Sequence, residues 1–158
     1  MRMLRWLALL FAFGASLAPL AHVLELPNKL QLDGALWLGV QQHLYNGWGP
    51  FIGAPTELGG LVLSLVLVVT NRNRMSLLMF HGFSGLAYVA MLLCFFLLND
   101  SVNKAVNHWT AVTLPSDWPR YRLTWELGHA LAALFGLLAV ATTLAGILIA
   151  ERNALRRE

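Results

Sequence analysis

An all-α fold, a four-transmembrane-helix antiparallel bundle with two longer outer loops, is the architecture this 158-residue sequence predicts, as one integral-membrane domain over residues 1–158. Three observations predict it. The chain is 58% hydrophobic and 12% charged, with a mean hydropathy of +0.61, well outside the range of a soluble domain. Apolar runs at residues 4–26, 51–69, 76–98 and 127–150 each approach the roughly 20 residues that a helix needs to cross the hydrocarbon. The basic residues are also unevenly placed. Arg2, Arg5, Arg72, Arg74, Arg152, Arg156 and Arg157 fall on one side of that arrangement, and Lys29, Lys104, Arg120 and Arg122 on the other. The excess predicts that both termini are cytoplasmic.

Helix 1 is expected to run outward and to end at Pro27, which opens a first outer connection over 28–49. Apolar and aromatic residues there, from Ala35 to Trp48, alternate with Gln41, Gln42 and His43, a pattern for a short helix on the membrane surface that can act as a lid. The short link 71–75 makes helices 2 and 3 a cytoplasmic hairpin, and residues 99–125 form the second outer connection. Its Trp109, Trp118 and Trp125, with Asp117, Arg120 and Arg122, fit either an interfacial aromatic belt or a cap over polar groups in helix 4. A basic start and small residues near 18–21 also fit a cleaved signal peptide, which would make His22 a new, copper-binding N-terminus; the length of the run and Pro19 favour a retained helix. The net charge of +3 comes from the helix flanks, and no basic stripe interleaved with aromatics points to nucleic acid. Cys94, the single cysteine, lies in an apolar run and reads as packing.

Ionisable groups inside such segments are costly and mark function, pairing with one another or with a ligand. His22 and Glu25 stand three apart on an outgoing helix, and Glu126 and His129 three apart on an incoming one. Residues at that spacing share a face, separated by about 60° around the helix and ~4.5 Å along it. On antiparallel helices the reversed motifs bring glutamate level with glutamate, and both histidines about one turn deeper. Glu57, about two turns into helix 2, reaches a similar depth. Taken singly, each of these residues is a hydrogen-bonding packing group or a hydrated interfacial acid. Five at compatible depths point to a shared site with His22, Glu25, Glu57, Glu126 and His129 as candidate metal ligands, and His22, Glu126 and His129 as candidate catalytic groups. Imidazole and carboxylate suit a non-haem transition metal, iron or copper first. Helix 3 supplies no glutamate, so a complete di-iron cage is not expected. His81, near the cytoplasmic end of helix 3 beside Gly82 and Gly85, is expected to pack remote from the cluster, and the loop residues His43 and His108 lie outside it.

At these positions the sequence resembles the anthrone oxygenase-like membrane family, many of whose bacterial members have no described function. The resembling residues are Ala21-His22-x-x-Glu25-x-Pro27-x-Lys29, then Asn103, Trp109, Pro115, Asp117-Trp118 and Arg122, and finally Trp125-Glu126-x-x-His129, so the pattern covers nearly the whole chain. The chain departs from it at Ser101-Val102-Asn103, where a proline commonly accompanies the asparagine, and at Ala132, where an arginine often follows the last histidine. The resemblance implies four membrane helices, a bacterial inner membrane and, as in some relatives, oxygenation of a polycyclic anthrone to a quinone. Asn103, Trp109, Asp117, Trp118, Arg122 and Trp125 then become candidate cap or substrate contacts.

Three functions fit these observations. The first is a membrane oxidoreductase of monooxygenase type acting on a small hydrophobic substrate, with a metal, or with no cofactor where a histidine or glutamate need only remove a proton. The second is electron transfer through a haem ligated by His22 and His129, which the adjacent carboxylates disfavour. The third is a non-enzymatic accessory subunit bound to a membrane-protein partner. All three share the lipid bilayer as surroundings.

Overall fold

A computed structural model describes residues 1–156. Every regular element among them is helical: α1 (Arg2–Lys29), α2 (Gly34–Gly39), α3 (Ala54–Thr70), α4 (Met75–Cys94), α5 (Asp100–Val106) and α6 (Trp118–Leu155), with π-helical turns at Val40–Leu44, Gly49–Gly53 and Phe95–Asn99. Four helical stretches, Arg2–Lys29, Gly34–Thr70, Met75–Val106 and Trp118–Leu155, are long and apolar enough to cross a membrane. The chain is therefore an all-α bundle of four candidate membrane spans.

The four long helices close into a ring, α1 packing on α3 and α6, and α4 on α3 and α6. Small side chains set the α1–α6 contact: Ala8, Ala12, Ala15 and Ser16 are buried on α1, and Ala132, Ala133, Gly136 and Ala139 on α6. A Cβ on Gly136 would lie 2.8 Å from Ser16 Oγ, so only hydrogen fits where the two helices are closest. Large apolar side chains point the other way, with Leu10, Phe13, Leu17, Val62, Leu65, Leu86, Leu134 and Leu148 all exposed. Such a belt suits hydrocarbon rather than water. Some polar groups inside the ring satisfy each other, as the Ser84 hydroxyl does with Ser64 at 3.2 Å and Thr143 at 2.9 Å.

The helices differ from their sequence-based limits mainly at one end of the bundle. Helix 1 does not stop at Pro27: α1 holds both Pro19 and Pro27 and continues to Lys29. Pro27 stands in the last turn, where the single amide it lacks disturbs little beyond it. Residues 28–49 do not form a helix lying free on a surface. Trp37 is fully buried and Tyr45 nearly so, in a second core with Val102, Val106 and Trp125. Residues 99–125 are largely helical too, as α5 and the first two turns of α6, with Pro119 at the start of the helix, where its fixed φ is favourable. The two connections are joined by Gln42, whose Nε2 donates to the carbonyls of Val106 (2.8 Å) and Trp109 (2.9 Å).

Candidate functional site

The buried face of α1 presents His22, Glu25 and Lys29 at i, i+3 and i+7, and that of α6 presents Arg122, Trp125, Glu126 and His129. These faces meet. The His22 and His129 rings lie edge to face with centroids 4.3 Å apart, and Trp125 touches both, at 4.7 and 4.0 Å. One turn nearer the helix ends, Lys29 Nζ sits 2.9 Å from Glu126 Oε2 and 3.9 Å from Glu25 Oε2. The alignment of glutamate with glutamate and histidine with histidine is thus present, bridged by an ammonium.

Two π turns complete the site, a distortion common where a helix must aim one residue at a functional group. The first ends at Tyr45, whose hydroxyl donates to Glu25 Oε2 at 2.5 Å and whose ring stands 4.5 Å from that of His22. Trp48 closes the same side at 5.6 Å. The other ends at Asn99, whose Nδ2 donates to the Trp125 carbonyl at 2.9 Å and lies 2.8 Å from His129 Nδ1. The Trp125 carbonyl is itself 3.0 Å from that nitrogen, so Nδ1 either donates to the carbonyl or accepts from Asn99, according to the tautomer, and Asn99 Nδ2 donates to the Trp125 carbonyl in both cases. Gly128 makes room for Asn99, since a Cβ there would overlap the amide.

His22 and Glu126 are almost completely buried, yet His22 Nδ1 and Glu126 Oε1 have no hydrogen-bond partner. Glu25 Oε2 is 3.7 Å from His22 Nδ1, outside hydrogen-bond range. Buried polar atoms are rarely left bare, so each marks a place that a water or ligand can complete.

The other expected residues fall into place around this centre. Trp125 Nε1 donates to Asn103 Oδ1 at 2.8 Å, so Asn103 orients the wall of the site. Arg122 Nη1 donates to the carbonyls of Lys29 (3.2 Å) and Leu32 (3.1 Å), while its guanidinium stacks 4.7 Å over Trp118. It therefore anchors the end of α1 that carries Lys29. Trp118 packs on Trp37, and Trp109 on Tyr121, in the surrounding shell. Asp117 is exposed and lines a shallow cleft with Arg120 and Tyr121, away from His22.

Glu57 begins α3 and, among the described residues, makes no hydrogen bond or ion pair with the cluster. His81 is buried against Gly146, seventeen positions from His129 along α6 and so roughly 26 Å away. Gly82 has open space where a Cβ would go, so Gly146 rather than Gly82 accommodates the imidazole. His43 and His108 are exposed. Among the described residues no group of three or more His, Cys, Asp and Glu is arranged to hold a metal ion. The positive charge among the carboxylates comes from Lys29.

Lys29, Tyr45, Trp48 and Asn99 were not expected as site residues. Lys29 carried a signal, since it continues the His22–Glu25 face by one turn once the helix runs past Pro27. Tyr45 and Asn99 carried none, because π turns set their directions. Comparisons of the chain with protein-family models, with curated proteins and with solved structures return no match.

Proposed function

We propose that the chain is a membrane oxidoreductase that uses molecular oxygen on a small, planar, hydrophobic substrate of the phenol or anthrone class, with His22 as general base. The observation that carries this reading is the buried, unpartnered His22 Nδ1, on a ring walled by those of Tyr45, Trp48 and Trp125, with Glu126 Oε1 a second buried atom without a partner. Aromatic walls suit a flat substrate, and a free imidazole nitrogen suits proton removal. Entry requires displacement of Tyr45 and Trp48, which sit between two π turns and beside Gly47, the one described residue with positive φ (87°).

An anthrone has an acidic methylene opposite its carbonyl. Transfer of one of those protons to His22 leaves a carbanion whose charge spreads to the carbonyl oxygen, and Lys29 supplies the compensating cation. Dioxygen adds to the carbanion carbon. One oxygen atom becomes the new carbonyl, and the other leaves as water with the two methylene hydrogens, so substrate and dioxygen balance without an external reductant. In this scheme the Trp125 carbonyl or the Asn99 amide, according to the tautomer, holds His129 as the second wall and proton partner, and Arg122 keeps Lys29 in place.

A second reading places a non-haem iron or copper ion on His22, His129 and Glu126. The approach of the two imidazoles favours it, and it requires Lys29 to leave Glu126. Haem is disfavoured, because rings 4.3 Å apart leave no space for a porphyrin between them. The basic asymmetry supports cytoplasmic termini and a site toward the outer face of the membrane, which we take, from the family resemblance, to be a bacterial inner membrane. The test is anthrone oxidation by purified chain in nanodiscs with chelator present, alongside elemental analysis. We expect quinone formation above the empty-nanodisc rate and loss of about a hundredfold or more in His22→Gln. Activity that follows bound iron or copper supports the metal reading. No activity, with stable co-purification of one partner, supports the accessory role.

A further inference from the structure

At the opposite end of the bundle from His22, a cleft of ≈ 700 Å³ opens between the start of α1, the α3–α4 turn and the end of α6. Arg5, Thr70, Asn71, Asn73, Arg74 and Asn153 line it, and among the described residues no carboxylate does. Arg5 is only 9% exposed. Its Nη2 donates to Asn71 Oδ1 at 3.2 Å, but its Nε is buried without a partner. A guanidinium cannot shed its charge, so a buried one with an unused N–H calls for an anion. The neighbouring acid is already engaged, since Glu151 pairs with Arg2 at 3.0 Å. Asn71 is fixed as well, its Nδ2 donating to the Leu67 carbonyl at 2.7 Å. Arg74, exposed at the rim, adds a second cation.

We propose that this cleft binds a phosphate group, gripped by Arg5 from α1 and Arg74 from the α3–α4 turn, with asparagine amides as further donors. Two guanidiniums suit the several oxygens of a phosphate, each able to give parallel N–H donors. The phosphate can belong to an anionic phospholipid headgroup or be free in solution. The cleft lies where the apolar helices end, the level at which basic pockets meet headgroups. This inference is independent of the chemistry proposed at the other end.

The probes are phosphatidylglycerol, phosphatidylcholine and inorganic phosphate, added to the detergent-purified chain and followed by native mass spectrometry and thermal unfolding. We expect phosphatidylglycerol to bind more tightly than phosphatidylcholine, or inorganic phosphate to raise the melting temperature. Protection by phosphatidylglycerol alone identifies the lipid headgroup as the source, and equal protection by inorganic phosphate identifies a soluble anion. Arg74→Gln is expected to weaken binding about fivefold, and Arg5→Gln at least as much. Arg120→Gln, at the far end, is expected to leave it unchanged. Arg74 is exposed, so its variant folds even if Arg5→Gln does not. No preference for either phosphate probe, wild-type binding by Arg74→Gln, or an equal loss in Arg120→Gln would overturn the proposal.

Discussion

Replacing Lys29 by methionine keeps the length of the side chain and removes its charge. The Lys29 and Glu126 side chains are 5% and 4% exposed and 2.9 Å apart, so the variant strands a carboxylate away from water. Breaking one side of a buried pair costs about 3–5 kcal/mol. For a chain of this size that corresponds to a fall of roughly 6–20 °C in melting temperature. Glu126→Gln leaves the ammonium with the longer contact to Glu25 (3.9 Å) and is expected to cost less than Lys29→Met. The double variant leaves two neutral groups and should recover most of the loss, giving a coupling energy of at least about 2 kcal/mol in the cycle. Lys104→Met is the control: its pair with Asp100 is closer, at 2.6 Å, but Lys104 is 73% exposed, and exposed pairs contribute under about 1 kcal/mol. Tryptophan-fluorescence melts in detergent read all four variants. A Lys29→Met melt no lower than that of Lys104→Met, or additive single effects, would refute the claim that Lys29 supplies the cation of the cluster.

Two further substitutions test how the site is held. Gly128→Ala places a methyl group against the Asn99 amide and is expected to destabilise the fold by about 1–3 kcal/mol, with greater mobility of the His129 ring in NMR spectra; an unchanged melt would contradict the packing described. Arg122→Ala removes two hydrogen bonds to the end of α1 and a stack on Trp118, so amide exchange at residues 30–32 should accelerate at least tenfold. Unchanged protection there would show that Arg122 does not anchor Lys29.

The bundle was legible in the sequence because four apolar runs of membrane length leave few alternatives. The neighbouring positions of α1 and α6 were legible because His22–Glu25 and Glu126–His129 are mirror-spaced, and their convergence depends only on helix geometry. Lys29 was obscured by Pro27, which reads as a helix end although α1 continues two residues past it. The cap was obscured for a different reason. Trp37, Tyr45 and Trp125 share one core through contacts distant in sequence, so a surface helix in 28–49 and a cap in 99–125 could each be expected, but not the packing of one on the other. Glu57 shares a face with the buried Gly60, Ser64 and Leu67 of α3, which packs beside α1 and α4, yet it makes no hydrogen bond or ion pair with the His22–Glu126 cluster among the described residues.

The central claim is that His22 removes a carbon-bound proton with Lys29 in place of a metal ion, and deuterium exchange into the anthrone methylene tests it most directly. The reaction is run anaerobically in heavy water, with chelator, on the chain in nanodiscs and is followed by NMR, so that oxygen chemistry plays no part. The account predicts exchange faster than with empty nanodiscs, retained after chelation and lost in His22→Gln. Exchange at the empty-nanodisc rate by wild-type protein, or exchange unaffected by His22→Gln, would contradict it.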